Sequence, residues 1–264
     1  SSEVETKEIN KILDWAEGKI SEIDTSFDYP GSHKALSNKP KPFQISTKIN
    51  LIEYLNEDEL LTAIIEFKNI FQVNSLYQIL IRPTNTNNLK VQNLVNTLNN
   101  LRKENVVQSI GASIYELREL EELEELGLRI DSLQLPISLA NHEFEHLVIE
   151  RELDPSAFTI YARSIFLQGI LLLEATRIPP RLQPVQELLQ EIQKEATYLG
   201  VKPMDICLAY VKRIPWVSKL VVGVRNLSEL QEIYASFNQP IELSERFLSN
   251  LPLVPSSVYD PRWW

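Results

Sequence analysis

Two segments near the start of the chain carry an acid, a phenol and a lysine that together could transfer a proton. Residues 19–32 contain Asp24 and Tyr29, and residues 43–49 contain Lys48. Apolar and polar residues alternate in both segments, which predicts two short strands that carry Asp24 and Lys48 at their C-terminal ends. A lysine paired with a carboxylate can lower the pKa of a nearby phenol, so that a tyrosine can donate a proton near neutral pH. The alternative interpretation is an Asp–Lys ion pair with a purely structural role.

The elements that would position these residues alternate between strand and helix along the whole chain. Beyond the two segments, hydrophobic spacing predicts strands at residues 77–82, 106–114, 132–137, 158–164 and 216–224, and helices at residues 3–17, 58–71, 89–103, 116–125, 141–152, 185–199, 203–211, 227–235 and 243–251. This alternation indicates parallel strands with right-handed crossovers, in either a doubly wound sheet or a closed barrel.

The glycine content favours one of these two architectures. Only 7 of 264 residues are Gly, and no Gly-x-Gly occurs, whereas a doubly wound dinucleotide-binding domain carries a Gly-rich turn. We therefore predict an α/β fold, a (β/α)8 TIM barrel, as a single domain over residues 1–264. About seven candidate strands are one fewer than a barrel needs. The first strand is therefore expected upstream of Ser1, or the barrel is naturally incomplete.

The composition argues against several classes of partner. The net charge is -10, which argues against a surface for nucleic acid or for an anionic membrane. Cys207 is the one cysteine in the sequence, so neither an intramolecular disulfide nor a thiolate metal cluster is expected. No apolar run reaches the length of a membrane span, and the first residues are too charged for a signal peptide. A cytoplasmic protein is the expectation.

The two opening segments resemble the aldo/keto reductase superfamily. In that family the second strand ends in an Asp-Thr-Ala…Tyr-Gly motif and the third in Thr-Lys; this chain has Asp-Thr-Ser at 24–26, then Tyr29, and Thr-Lys at 47–48. The resemblance implies a hydride transfer from a reduced nicotinamide to a carbonyl carbon of a small molecule, with a sugar-derived or other polar substrate. Tyr29 would protonate the carbonyl oxygen, Lys48 would favour that proton transfer, and Asp24 would hold Lys48.

The same resemblance implies a set of residues that contact the cofactor. They are Ser113 and Gln134 at the nicotinamide carboxamide, Arg163, Ser164 and Gly169 near the pyrophosphate, and Gly223, Arg225, Glu229 and Glu232 around the adenosine. An arginine at a helix N-terminus suits a 2′-phosphate, so NADP (as NADPH) is the expected cofactor and NAD stays open. Four positions depart from the family pattern: Ile114, Arg163, Glu229 and Ile233.

The most serious departure concerns the catalytic histidine. The family has Leu-His at the end of its fourth strand, where this chain reads Ile-Leu-Ile-Arg-Pro at 79–83. By strand alternation Arg82, rather than Ile81, is expected in the histidine position. An arginine cannot relay a proton as a neutral group, but it could polarise a carbonyl or hold an anionic substrate group. Pro30 also replaces the glycine that follows the tyrosine.

Two rival functions follow from these departures and from one further motif. A relative that has lost its catalytic histidine could persist as a non-catalytic binding protein. His-Glu-Phe-Glu-His at 142–146 matches the His-Glu-x-x-His signature of zinc proteases. Glu145 directly before His146 is atypical of such helices, so we expect no metal. His33 is expected in a solvated loop, and the aromatic tail at 254–264 is expected along the surface.

Overall fold

The computed structural model describes residues 6–27, 29, 36–37, 43–82, 89–176, 178–260 and 262. The strands are β1 (Glu22–Asp24), β2 (Gln44–Asn50), β3 (Leu76–Arg82), β4 (Val107–Ser113), β5 (Ser132–Pro136), β6 (Thr159–Arg163) and β7 (Lys219–Leu220). The α-helices are α1 (Thr6–Ala16), α2 (Glu57–Phe71), α3 (Leu89–Lys103), α4 (Leu117–Glu125), α5 (Glu143–Ile149), α6 (Gln186–Leu199), α7 (Pro203–Lys212), α8 (Leu227–Phe237), α9 (Glu245–Ser249) and α10 (Ser256–Tyr259). Short 3-10 helices span Leu51–Glu53, Pro155–Ala157, Leu167–Leu172 and Pro180–Val185.

The chain divides into two compact units. The first comprises Ser1–Gln134 and Val224–Glu229, and the second comprises Leu135–Gly223 and Leu230–Trp264. The interpretation as one barrel domain over 1–264 stays a prediction.

The sheet of the first unit follows the order of the chain. Its strands lie in the order β1-β2-β3-β4-β5, and each pairs in parallel with the next. The register places Asp24 beside Ser46 and Ser113 beside Gln134. A doubly wound sheet reverses its strand order at a switch point, and no reversal occurs among these five strands. The predicted parallel α/β architecture is confirmed, while the closed eight-stranded barrel stays a prediction.

This sheet curls so that one of its faces becomes an interior. Three strands separate β1 from β5, yet the Gln134 amide on β5 lies 3.2 Å from the Asp24 carboxylate on β1. On β3 the residues alternate between this inner face, which takes Gln78 and Arg82, and an outer face with Ile79 and Ile81, both fully buried. Apolar side chains of α2 and α3 are fully buried as well, among them Leu60, Ile64, Leu94 and Leu98.

Gly111 lets β4 approach its neighbours closely. A Cβ built on Gly111 would lie 2.7 Å from the backbone oxygen of Ser132 and 2.8 Å from Cδ2 of Leu80. These distances are shorter than any comfortable carbon contact, so a side chain at this position would force the strands apart. The glycine therefore supports the tight register that holds Gln134 opposite Ser113.

Polar side chains cap the helices that cover the first unit. The side chain of Asn56 accepts the N–H of Glu59 at the start of α2. Glu119 accepts the backbone N–H groups of Tyr115 and Glu116 and so fixes the start of α4. The helix predicted over residues 116–125 is α4, and its buried residues are Leu120 and Leu123.

The second unit shows where the predicted elements were too long. The parallel pair β6–β7 aligns Tyr161 with Lys219 and Ala162 with Leu220, so the strand predicted over 216–224 is only two residues long. The predicted helix over 141–152 is α5, which begins after His142. The tail was expected along the surface; within it Val258 and Asp260 are buried, so these two residues pack against the protein. Among the helices that the structure describes, none is both long and apolar enough to cross a membrane.

Candidate active site

The predicted Asp–Lys pair forms on the inner face of the first unit. Asp24 ends β1, Lys48 lies on the neighbouring strand β2, and the Lys48 ammonium donates to the Oδ2 atom of Asp24. The side chains of Lys48 and Asp24 are only 11% and 24% exposed, so water screens their attraction less than it would at a surface. The pair can therefore keep the ammonium in one fixed position.

A second pair of residues extends this ion pair into a chain of hydrogen bonds. Nε2 of Gln134 donates to Oδ1 of Asp24 at 3.2 Å, and Oγ of Ser113 donates to Oε1 of Gln134 at 3.3 Å. Gln134 and Ser113 were predicted to hold a nicotinamide carboxamide. In this structure both ends of the Gln134 amide are engaged within the protein.

Arg82 reaches the same region through a serine that sequence reasoning missed. Nη2 of Arg82 donates to Oγ of Ser26 at 3.3 Å, and that hydroxyl donates to the backbone oxygen of Lys48 at 3.5 Å. The neighbouring Ile81 is fully buried, as strand alternation requires. The spacing of two residues between Asp24 and Ser26 is the signal that could have identified the serine. The arginine thus brings a second cation to the site.

Tyr29 follows β1 by a short turn. Its backbone N–H donates to the backbone oxygen of Ser26 at 3.0 Å, and its side chain is 52% exposed. The turn is anchored by Phe27, whose ring stacks on Phe67 at a centroid distance of 4.1 Å. The pairing of the phenol with Lys48 stays a prediction, and Pro30 and His33 lie outside the described residues.

The candidate pyrophosphate residues lie at the end of β6 and directly after it, in the second unit. Nη1 of Arg163 donates to Oγ of Ser164 at 3.4 Å. Ser164, Leu167 and Gln168 have left-handed φ angles of 59, 47 and 54°, and Gly169 has φ 90°. Such a backbone costs non-glycine residues about 1–3 kcal/mol each, and it is found preferentially at binding and active sites. This backbone geometry makes residues 164–169 a candidate binding loop.

The candidate adenosine residues fall in both units. In the first unit Arg225 and Glu229 form an ion pair at 2.6 Å, and the carboxylate of Glu8 accepts the N–H of Leu227 at 2.9 Å. The backbone N–H of Leu227 is the main reason why the pKa of Glu8 is lowered. In the second unit Lys202 pairs with Glu232 at 2.6 Å, a contact that raises the pKa of Lys202.

Gly223 belongs to the same candidate set but differs in character. A Cβ added to Gly223 would meet no atom within 4 Å. The position therefore has room for a side chain, and packing among the described residues does not require glycine there.

The His-Glu-x-x-His motif has an explanation within the second unit. His142 precedes α5, and its Nε2 atom lies 2.9 Å from the backbone oxygen of Leu139. Burial lowers the pKa of the His142 imidazole. Glu145 accepts hydrogen bonds from the Tyr210 hydroxyl and, at 3.0 Å, from Nη2 of Arg213. Among the described residues, no group of three or more His, Cys, Asp or Glu side chains is placed to hold a metal ion.

A comparison of the sequence with known protein families agrees with the fold and with the Asp24–Lys48 pair. A sequence profile of the Aldo/keto reductase family matches residues 16–251. The chain therefore belongs to the aldo/keto reductase family, and the resemblance recognised in its sequence is confirmed.

Solved structures show the same fold at low sequence identity. An aldo-keto reductase from Bacillus halodurans in its holo form is 14% identical, with 98% of this chain and 89% of that chain covered and a TM-score of 0.72. The glycerol dehydrogenase from Gluconobacter oxydans is 17% identical, with coverages of 93% and 83% and a TM-score of 0.71. An aldo-keto reductase from Klebsiella pneumoniae in complex with NADPH is 17% identical, with coverages of 97% and 85% and a TM-score of 0.69. A search of curated proteins finds no match.

Proposed function

We propose that this protein is an NADPH-dependent oxidoreductase that reduces the carbonyl group of a small polar molecule, such as an aldehyde or ketone derived from a sugar. The observation that carries the proposal is the contact between the Lys48 ammonium and the Asp24 carboxylate on adjacent strands. The match to the aldo/keto reductase family supports it. We also propose a cytoplasmic location, because a chain with a single cysteine does not depend on an oxidising compartment for an intramolecular disulfide.

Each residue of the site has a role in this proposal. Tyr29 donates its hydroxyl proton to the carbonyl oxygen as that oxygen gains negative charge. Lys48 stabilises the phenolate that remains, and Asp24 keeps the Lys48 ammonium in place and balances its charge. Arg82 takes the position of the family histidine and either polarises the carbonyl or holds an anionic group of the substrate.

The donor set of this chain is compatible with a dinucleotide cofactor. The Arg225 side chain is 79% exposed. Its guanidinium can bind an anion from solution once it releases the carboxylate of Glu229. We propose that Arg225, with the N-terminal end of α8, holds the adenosine 2′-phosphate, and that Gly223, Glu229 and Glu232 line the adenosine. The cofactor supplies the hydride; NAD is the alternative if Arg225 does not meet a phosphate.

The second candidate function is a non-catalytic binding protein of the same family. The presence of Arg82 where the family has its catalytic histidine favours this candidate. It predicts a protein that binds the dinucleotide, or a protein partner, and reduces nothing.

Titration of the purified protein with NADPH and NADH tests the proposal. Binding to the native state should raise the melting temperature and quench tryptophan fluorescence. NADPH oxidation in the presence of an aldehyde, a quinone and an aldose then measures turnover, with Lys48→Met as the inactive control. Binding without turnover would support the non-catalytic candidate, and the lack of any response at millimolar NADPH and NADH would exclude a reductase.

A further inference from the structure

We propose that Gln134 is a positioning residue for the Asp24–Lys48 pair. Its amide, which Ser113 orients, fixes the carboxylate that in turn places the Lys48 ammonium. The catalytic consequence rests on the proposed function, but the contact itself does not.

The first step concerns the two oxygen atoms of Asp24. Oδ2 accepts from Lys48, and Oδ1 accepts from Nε2 of Gln134 at 3.2 Å. A carboxylate with one partner can rotate about its last side-chain bond, whereas donors at both oxygens define a single orientation. The amide is neutral, so it stabilises the carboxylate without competing with Lys48 for the negative charge.

The second step concerns the orientation of the amide. A glutamine amide can face a carboxylate with its oxygen or with its nitrogen, and the neighbouring groups decide which. Oγ of Ser113 donates to Oε1 of Gln134 at 3.3 Å, so the nitrogen faces Asp24. The backbone supports this arrangement, because the N–H of Ile114 donates to the backbone oxygen of Gln134 at 3.2 Å. Ser113 and Gln134 therefore act together.

The third step concerns burial. Gln134 is 1% exposed and Ser113 is 8% exposed, so the loss of either partner would leave buried polar atoms unsatisfied. The nitrogen and the oxygen of the Gln134 amide can each form a second hydrogen bond, so the side chain can contact a nicotinamide carboxamide and keep both of its present partners. Positioning of Asp24 and contact with the cofactor are thus separable roles with different consequences.

The variants Gln134→Leu, Gln134→Glu and Ser113→Ala test the proposal, with Gln78→Leu as the matched control. Gln78 is also 1% exposed, and its amide donates to Ser132 instead of Asp24. The measurements are kcat as a function of pH and the Kd for NADPH from fluorescence titration.

We expect Gln134→Leu to lower kcat by about 10- to 100-fold, because a small displacement of a catalytic group has effects of this size. The Kd for NADPH should change by less than about three-fold. Ser113→Ala should show the same changes at smaller size.

The pH dependence of the activity of Gln134→Glu distinguishes a positioning role of Gln134 from a purely structural one. At high pH it places a second carboxylate against Asp24, and at low pH its protonated form offers an O–H in place of the amide N–H. Its activity relative to wild type should therefore recover as the pH falls. The proposal is overturned if Gln134→Leu raises the Kd for NADPH and leaves kcat unchanged, or if Gln78→Leu lowers kcat by as much as Gln134→Leu does.

A double-mutant cycle separates this proposal from the proposed function. If the wild type neither binds NADPH nor reduces a carbonyl, the proposed function fails, but Asp24→Ala and Gln134→Leu still report on their contact through thermal unfolding. We expect the Tm of the double variant to fall by less than the sum of the decreases in the two single variants. The difference should be about 2–4 °C. Additive losses would mean that Gln134 does not support Asp24.

Discussion

Glu229 accepts three hydrogen bonds from Arg225, four residues before it in the chain. The donors are the backbone N–H at 2.8 Å, Nε at 3.0 Å and Nη2 at 2.6 Å. The backbone N–H, followed by the guanidinium, holds the pKa of Glu229 below its ordinary value. The carboxylate lies in the first turn of α8, where the helix dipole favours negative charge. A phosphate that approaches Arg225 must therefore replace a carboxylate that is already in place.

Removal of that competitor should improve the binding of NADPH. We expect Glu229→Gln to lower the Kd for NADPH by about two- to five-fold and to leave the Kd for NADH nearly unchanged, because an exposed ion pair of this kind is weak. Arg225→Ala should weaken NADPH more than NADH. Fluorescence titration with both cofactors measures the two effects.

The control for net charge is Glu191→Gln. Glu191 also pairs with a lysine within its helix, Lys194, and its loss should not change the ratio of the two Kd values. If Glu229→Gln and Arg225→Ala affect NADPH and NADH equally, Arg225 does not contact the 2′-phosphate.

Gly111 should be intolerant of even one methyl group. We expect Gly111→Ala to reduce the free energy of unfolding by about 1–3 kcal/mol, because the new Cβ would overlap Ser132 and Leu80 and overpack the sheet. The matched control is Gly223→Ala, where an added Cβ meets no atom within 4 Å and the change should be within about 0.5 kcal/mol. Urea unfolding of both variants measures the difference. Equal free energies of unfolding for the two variants would mean that β4 and β5 can move apart at position 111 without loss of stability.

The stability of the protein should fall in mildly acidic solution in part because of His142. Burial lowers the pKa of this imidazole from its ordinary 6.5, so the unfolded chain takes up the proton at a higher pH than the folded one does. Well above pH 6.5 the imidazole is neutral in the folded and the unfolded state, and it then contributes nothing to the pH dependence. As the pH falls from 6.5 to the folded pKa, the free energy of unfolding should decrease by at most about 1.4 kcal/mol per pH unit.

His142→Gln isolates this effect, since glutamine does not titrate. Urea unfolding at several pH values between 7 and 5 gives one stability curve for the wild type and one for the variant. The wild-type free energy of unfolding minus that of the variant should decrease as the pH falls, because only the wild type carries the penalty of protonation. Parallel curves would show that the His142 imidazole does not titrate differently in the folded protein.

The histidine pair should not bind zinc. The Nε2 atom of His142 already contacts the backbone oxygen of Leu139, and a protein zinc site needs at least three ligands. Elemental analysis after dialysis should find no stoichiometric zinc, and His146→Ala should leave the melting temperature within about 2 °C of the wild-type value. One zinc per chain that disappears in His146→Ala would establish a metal centre instead.

Local patterns sufficed to predict Asp24 and Lys48 as neighbours. Alternation fixed the inner face of each strand, and parallel pairing brings the C-terminal ends of adjacent strands together. The same reasoning placed Arg82 rather than Ile81 on the inner face. The partner of the Asp24 Oδ1 atom was not predictable in this way, because Gln134 is 110 residues away and reaches Asp24 only because the sheet curls.

Other features depended on contacts that no local pattern encodes. The apolar run over 216–224 predicts a long strand, but only Lys219–Leu220 pairs with β6, since a strand needs a partner along its whole length. Glu8 and Leu227, which are 219 positions apart, meet only in the folded first unit. Periodicity predicts helices and strands; it does not predict which distant groups complete their hydrogen bonds.

The last prediction concerns the arginine in place of the catalytic histidine. If Tyr29 is the proton donor and Arg82 occupies the histidine position, a permanent cation stands where a neutral imidazole would share the proton transfer. We expect the wild type to reduce a generic aldehyde or quinone slowly, and Arg82→His to increase kcat by about ten-fold or more, within the range of a positioned general acid. Arg82→Lys, which keeps the charge, is the control and should give no increase.

Tyr29→Phe should lower kcat by about 100- to 10,000-fold in both the wild-type and the Arg82→His background. The measurement is the rate of NADPH oxidation at saturating cofactor, because NADPH binding then does not limit the comparison. If Arg82→His gains nothing although NADPH is bound, the site is not a latent reductase. If Tyr29→Phe keeps full activity, the proton comes from another group, and the exposed phenol after β1 has a different role.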